Sequence, residues 1–184
     1  TYMDGTTDIT RTYPLGPLTE DEKRFYTWTL QSHIDLARAV WLDYCECKMI
    51  DTIAREPLWR HLINYRCGTG HSVSFVGNVH EGPHALNSRN TTRMRPGMVV
   101  TDEPGVYETD LVGIRIENEL VCVHKADNQY GTFLGFEPLM FVPIATSPIL
   151  PGVLDKDEIA WLNDYHRQVF AKLAPHLNDE ERSW

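Results

Sequence analysis

Two hydrophobic periodicities divide this chain of 184 residues between them, and that division limits the folds open to it. Tyr26, Leu30, Ile34, Ala37 and Trp41 recur at three and four residues, the spacing of one buried helix face. A capping box precedes them, with Thr19 at the N-cap and Glu22 three residues on, so this helix is expected to end near Trp41. A second helix is expected over residues 49–55, interrupted or restarted at Pro57 and continuing through Leu58, Trp59 and Leu62. Strand-like runs follow at residues 98–101, 113–117 and 120–123. Helices first and strands after point to an α+β fold, with an antiparallel sheet covered on one face by helices.

Both ends of the chain have local signals of their own. Residues 1–13 read as a β-hairpin that turns at Asp4-Gly5 and returns through alternating residues 8–13. Residues 66–97 are rich in Gly, Asn, His and Pro, which suits an extended segment. The tail begins near Phe136, and past Pro148 and Pro151 Asp155 caps a final helix with Glu158 completing the box. Ile159, Leu162, His166, Val169 and Leu173 form its expected buried stripe. Trp161, Tyr165 and Phe170 lie on neighbouring faces, more apolar surface than one helix on a sheet edge needs, so a homodimer is expected through this region. Residues 1–147 and 148–184 are the expected divisions.

Composition narrows the function classes. Hydrophobic content of 42% and charged content of 23% fit a soluble globular protein. No run of about 18 apolar residues exists, so no membrane span is supported. A net charge of −9 argues against nucleic acid, whose phosphates need clustered Lys and Arg. The four cysteines lack the spacing of a zinc knot and read as reduced thiols of a cytoplasmic protein.

Four residues in four separate motifs carry the chemistry: Asp8 in DGTTDITRT, His71 in GTGH, Glu103 in TDEPGVYE and Glu117 in GIRIEN. Three carboxylates with one imidazole and no thiolate suit Mn²⁺, Co²⁺, Fe²⁺ or Zn²⁺ in a hydrolytic centre. Glycines 68 and 70 before His71 permit close backbone approach and positive φ. Pro104 pushes Glu103 toward extended geometry. Arg115 and Glu117 share one strand face, leaving Ile114 and Ile116 as the packed side. Each residue has an ordinary reading as well: a turn-capping Asp8, loop histidines at 71 and 80, a turn glutamate at 103, and a surface Arg115–Glu117 pair.

Together with NVHEGPH and FEPLMFVPI, these motifs resemble the pita-bread metallopeptidases, and among them aminopeptidase P, over nearly the whole chain. The resemblance implies the creatinase/aminopeptidase-like pita-bread fold, with this chain its C-terminal half. It also implies a metal-dependent exopeptidase that hydrolyses the N-terminal Xaa-Pro bond by a dinuclear, metal-activated water. Two divalent ions follow, Mn²⁺ first with Zn²⁺ or Co²⁺ as alternatives. Asp8 and Glu117 would bridge the ions, while His71 and Glu103 would bind one of them. Glu103 would also accept the water's proton, and His80 would line the cleft and hydrogen-bond the reacting carbonyl. Tyr107 matches a further cleft position, and Arg115 orients the ligand shell.

The family's fifth ligand, an upstream aspartate, would fall before Thr1. The chain therefore reads as a fragment, inactive without the missing N-terminal half. Its substrates would be peptides with proline second. Prolidase and methionine aminopeptidase are the rivals within the fold, and a non-catalytic peptide-binding module is the rival outside enzymology. Departures from the family pattern are Cys67, where members carry His, and Ser72 and Ser74, where glycine is usual. A thiol titrates near ~8.5, so Cys67 cannot act as an imidazole would at neutral pH.

Overall fold

A computed structural model describes residues 1–183. The first helix, α1 (Glu20–Ala37), starts at the expected box: Thr19 Oγ1 accepts from Glu22 N, and Glu22 Oε2 accepts from Thr19 N at 2.7 Å. It buries Tyr26, Leu30, Ile34 and Ala37. It stops before Trp41, which lies instead in strand β1 (Val40–Leu42). The Arg38 N–H closes the helix on the Ile34 carbonyl. Trp41 then gains its apolar contact from the sheet, tilted against Phe136 with centroids 4.6 Å apart.

Helix α2 (Cys47–Trp59) runs through Pro57 without interruption. The proline sits in its last turn, where its missing N–H removes a single bond. Leu62 falls outside the helix, with φ of 59° and its side chain in solvent.

Strands β2 (Gly70–His71), β3 (Ala85–Leu86), β4 (Val99–Asp102), β5 (Gly105–Glu108), β6 (Val112–Arg115), β7 (Asn118–Asn128) and β8 (Gly131–Pro138) follow. The main sheet has the order β1-β8-β7-β4, antiparallel throughout. Two smaller ladders pair β2 with β3 and β5 with β6. The β7–β8 hairpin turns with Gly131 at φ 134°, so FEPLMFVPI begins inside a strand and not in a separate tail. The glutamate at 117 lies just beyond β6, in a single bridge to Thr10.

That bridge replaces the hairpin expected at residues 1–13. Only a tight turn closes there, Tyr2 N to Gly5 O at 2.7 Å. The segment after it is held by side chains instead, Thr12 Oγ1 donating to the Arg115 carbonyl at 2.8 Å. Glu117 N in turn donates to the Thr10 carbonyl at 3.0 Å.

The core has two main parts. On one face of the sheet, Leu36 of α1 and Ile50 and Ala54 of α2 pack on Val100, Leu120, Leu134 and Phe136. Elsewhere Tyr26, Leu30 and Ile34 meet Ile114, Ile116 and helix α3 (Lys156–Leu173). The box at Asp155 is formed, with Glu158 N donating to Asp155 Oδ1 at 2.8 Å. The buried stripe of α3, however, is Glu158, Leu162, Tyr165 and Val169. Ile159 is 47% exposed and Leu173 36%. Gln31 donates to both Glu158 oxygens at 3.1 Å, which turns that face of α3 inward. Trp161 stacks on Tyr165 within this core, so two of the three aromatics expected to meet a partner are engaged internally. Nor is α3 the final helix, since a 3-10 turn (Ala174–His176) and short α4 (Asp179–Ser183) follow.

Candidate metal centre

Close approach of two strands places the histidine. A Cβ on Gly70 would lie 1.8 Å from the Thr101 carbonyl oxygen, so only glycine lets β2 cross β4 at this distance. Neither Gly68 nor Gly70 has positive φ, so contact distance is what this run supplies. The Thr69 carbonyl accepts from Glu103 N at 2.8 Å. Thr101 Oγ1 accepts from His71 N and donates to Glu103 Oε1, both at 3.0 Å. Buried Thr69 is held in turn by Asp51 and Tyr65. Arg55 fixes Asp51 at 2.8 Å and the Cys67 carbonyl at 2.9 Å.

His71 Nδ1 lies 3.1 Å from the Ser72 carbonyl, which leaves Nε2 for the site. That nitrogen is 3.1 Å from Glu103 Oε1 and 3.4 Å from Asp8 Oδ2. The other Glu103 oxygen pairs with Arg115 Nη1 at 3.0 Å. Ligand atoms of His71, Glu103 and Glu117 lie within 4.8 Å of one another, as do those of Asp8, His71 and His80. The four residues of the four motifs thus converge. His80, exposed, lays its ring against His71 with centroids 3.8 Å apart. Tyr107 covers the position beside Gly105, 5.6 Å from the Arg115 guanidinium.

Electrostatics of the cluster are unbalanced. Burial raises Glu117 first, and repulsion from Glu103 and Asp8 adds to it; the Thr10 hydrogen bond and Arg115 oppose, and the carboxyl ends at about 7. Burial also acts to raise Glu103, but the His71 hydrogen bond and the Arg115 charge outweigh it and hold this carboxyl below its usual range. Burial acts to lower His71, yet its bonds to Glu103 and the Ser72 carbonyl leave it raised. Three carboxylates converge on one guanidinium and one imidazole. A hard divalent cation matches both the donor atoms and the missing positive charge.

Some supporting residues escape a reading of the sequence. Thr101 stands two residues from Glu103, and the period-two rule that puts Thr10 on the Asp8 face could have found it. Asp102 and His33 form a fully buried pair at 3.0 Å behind Glu103, and no local pattern announces it. Nor does any pattern mark Arg11, whose guanidinium reaches both Thr10 and Glu117. At the departures, Ser72 contributes through its carbonyl, which any residue supplies, and Ser74 Oγ donates to the Asn78 carbonyl at 2.7 Å.

A sequence model of metallopeptidase family M24 matches residues 1–124, and that of the C-terminal region of peptidase M24 matches residues 132–184. This chain belongs to family M24. Among M24 relatives it is 42% identical to aminopeptidase P1 of Lotus japonicus, over 100% of the chain and 29% of that protein. It is 44% identical to aminopeptidase P2 of Arabidopsis thaliana, over 96% and 26%. The crystal structure of an X-prolyl aminopeptidase from Caenorhabditis elegans, described as a cytosolic enzyme with a di-nuclear active site, matches with a TM-score of 0.92 at 38% identity. All of this chain and 31% of that one are covered. A Xaa-Pro dipeptidase from Bacillus anthracis matches at 0.64 and 26% identity, over 76% of the chain. This M24 chain therefore has the α+β pita-bread architecture and spans about 30% of the length of its aminopeptidase P relatives.

Proposed function

We propose that this chain supplies the metal-binding core of a Xaa-Pro aminopeptidase, an exopeptidase that cleaves the bond between a free N-terminal residue and a following proline. The observation that carries the reading is the convergence of Asp8, His71, Glu103 and Glu117, with Arg115 holding Glu103. The naming of the plant relatives and the di-nuclear description of the C. elegans enzyme support it. Relatives named aminopeptidase P, 42% and 44% identical over nearly the whole chain, support aminopeptidase over dipeptidase, whose B. anthracis example is 26% identical.

Asp8, His71, Glu103 and Glu117 would hold two divalent ions, Mn²⁺ in our reading. Bound there, the ions supply a Lewis acid and a water acidified toward neutrality. Glu103 is the proton acceptor. It is ionised at neutral pH, and Arg115 and Thr101 fix its two oxygens. His80 lies on the open side of His71, where it can donate to a developing oxyanion. Arg115, which pairs with Glu103, and Tyr107 beside its guanidinium would contact the substrate. We place the enzyme in the cytoplasm, as its C. elegans neighbour is described.

The test is Glu103→Gln in the full-length protein, assayed on a Xaa-Pro peptide with Mn²⁺. Loss of a general base costs about 10²–10⁴ in rate, and a lost anionic ligand adds to that. Undiminished turnover in the variant, or in wild-type protein stripped of metal, would overturn the assignment.

A further inference from the structure

We propose that Arg11 and Tyr165 form a positioning pair that sets the spacing of the Asp8 and Glu117 segments and couples the metal site to the C-terminal helix. The inference rests on the metal-centre reading above and extends it to residues that touch no ligand atom of the cluster.

The Arg11 guanidinium works on three remote stretches of chain at once. Nη1 donates to the Glu117 carbonyl at 2.6 Å and to the Thr10 carbonyl at 2.9 Å. Nη2 donates to Asn118 Oδ1 at 2.8 Å, the Val142 carbonyl at 2.7 Å and the Tyr165 hydroxyl at 2.8 Å. Nε reaches the Pro143 carbonyl at 3.1 Å. Thr10 and Glu117 are the bridged residues, and the Thr10 hydroxyl also donates to the Glu117 carboxylate. Any shift of Arg11 therefore moves Glu117 against the segment that carries Asp8, three residues upstream.

Tyr165 provides the fixed end. Its ring is 2% exposed and stacked between Trp161 at 5.4 Å and Phe141 at 6.2 Å. Its oxygen also accepts from Val142 N at 3.2 Å. Packing in the α1–α3 core locates that oxygen, and Arg11 transmits its position to the carboxylates. A lysine carries the same charge but cannot reproduce a planar fork serving six acceptors.

The experiment uses the full-length protein with Arg11→Lys, Tyr165→Phe and the double variant. Mn²⁺ affinity is measured by competition with a chelating indicator, and melting temperature is measured in EDTA. Removing partners that orient ligands typically costs 10–100-fold in metal affinity. Arg11→Lys is expected to fall in that range and Tyr165→Phe to weaken binding less. The double variant should lose less than the product of the two, because both act through one path. Unchanged Mn²⁺ affinity alongside lowered melting temperatures would show a merely structural role and overturn the proposal. Multiplicative losses would overturn the coupling. Failure of the wild-type protein to bind Mn²⁺ would instead overturn the metal-centre reading and the inference with it.

Discussion

Glycine at position 70 is required by distance. An alanine there would drive its Cβ into the Thr101 carbonyl, forcing β2 off β4 and carrying His71 away from Thr101 Oγ1. Overpacking of this kind costs about 3 kcal/mol, so Gly70→Ala should lower stability in urea unfolding by that amount and weaken Mn²⁺ binding together. A variant with wild-type stability would mean that the two strands can separate freely. Glu117 makes a second prediction, for metal-free protein. Its folded pKa of about 7 lies above the ordinary value of 4.5, so between those values the folded state keeps a proton that the unfolded chain has released. Stability should therefore fall as pH rises from 4.5 to 7, by on the order of 2–3 kcal/mol from this one group. Glu117→Gln should flatten that slope in chelated protein. An unchanged slope between about pH 5 and 7.5 in urea titrations would show that the carboxyl is not desolvated by its surroundings.

Helix α3 shows at the scale of an element how much a sequence declares. Its start is legible because a capping box is a contact between residues three apart. The start of α1 is legible for the same reason. Which face of α3 is buried is not, because Gln31 and Arg11 decide it from positions more than 120 residues away. Strands β1, β5 and β8 escape on the same ground. Trp41 reads as a continuation of the α1 stripe until its partner on β8 is known. The corrected face makes a sharp contrast. Trp161, stacked on Tyr165 and edge-on to His33 at 5.9 Å, should cost about 3–4 kcal/mol when changed to alanine. Ile159, 47% exposed and away from that core, should cost only about 0.5 kcal/mol. Equal losses in thermal or urea unfolding would mean that α3 buries a different face.

At the scale of the whole molecule, motifs separated by up to 109 positions, from Asp8 to Glu117, meet because antiparallel pairing returns each segment to the same edge. Their meeting could be expected from donor chemistry and family resemblance together, whereas the charge excess that a cation must balance required coordinates. The homodimer expected from the C-terminal region has a smaller surface to draw on than the sequence suggests. Leu162, Tyr165 and Val169 belong to the chain's own core, so deleting that region would unfold it and say nothing of assembly. What remains outward is a groove lined by Ile144, Phe170, Leu173 and Leu177, with Phe170 and Leu173 exposed on its wall. A contiguous exposed apolar patch can mark an interface, and most soluble homo-oligomers are twofold dimers. Phe170→Asp combined with Leu173→Asp in the full-length protein should halve the mass seen by light scattering while leaving the circular dichroism spectrum of the folded chain unchanged. If both proteins scatter as dimers, or both as monomers, this groove is not the contact between subunits.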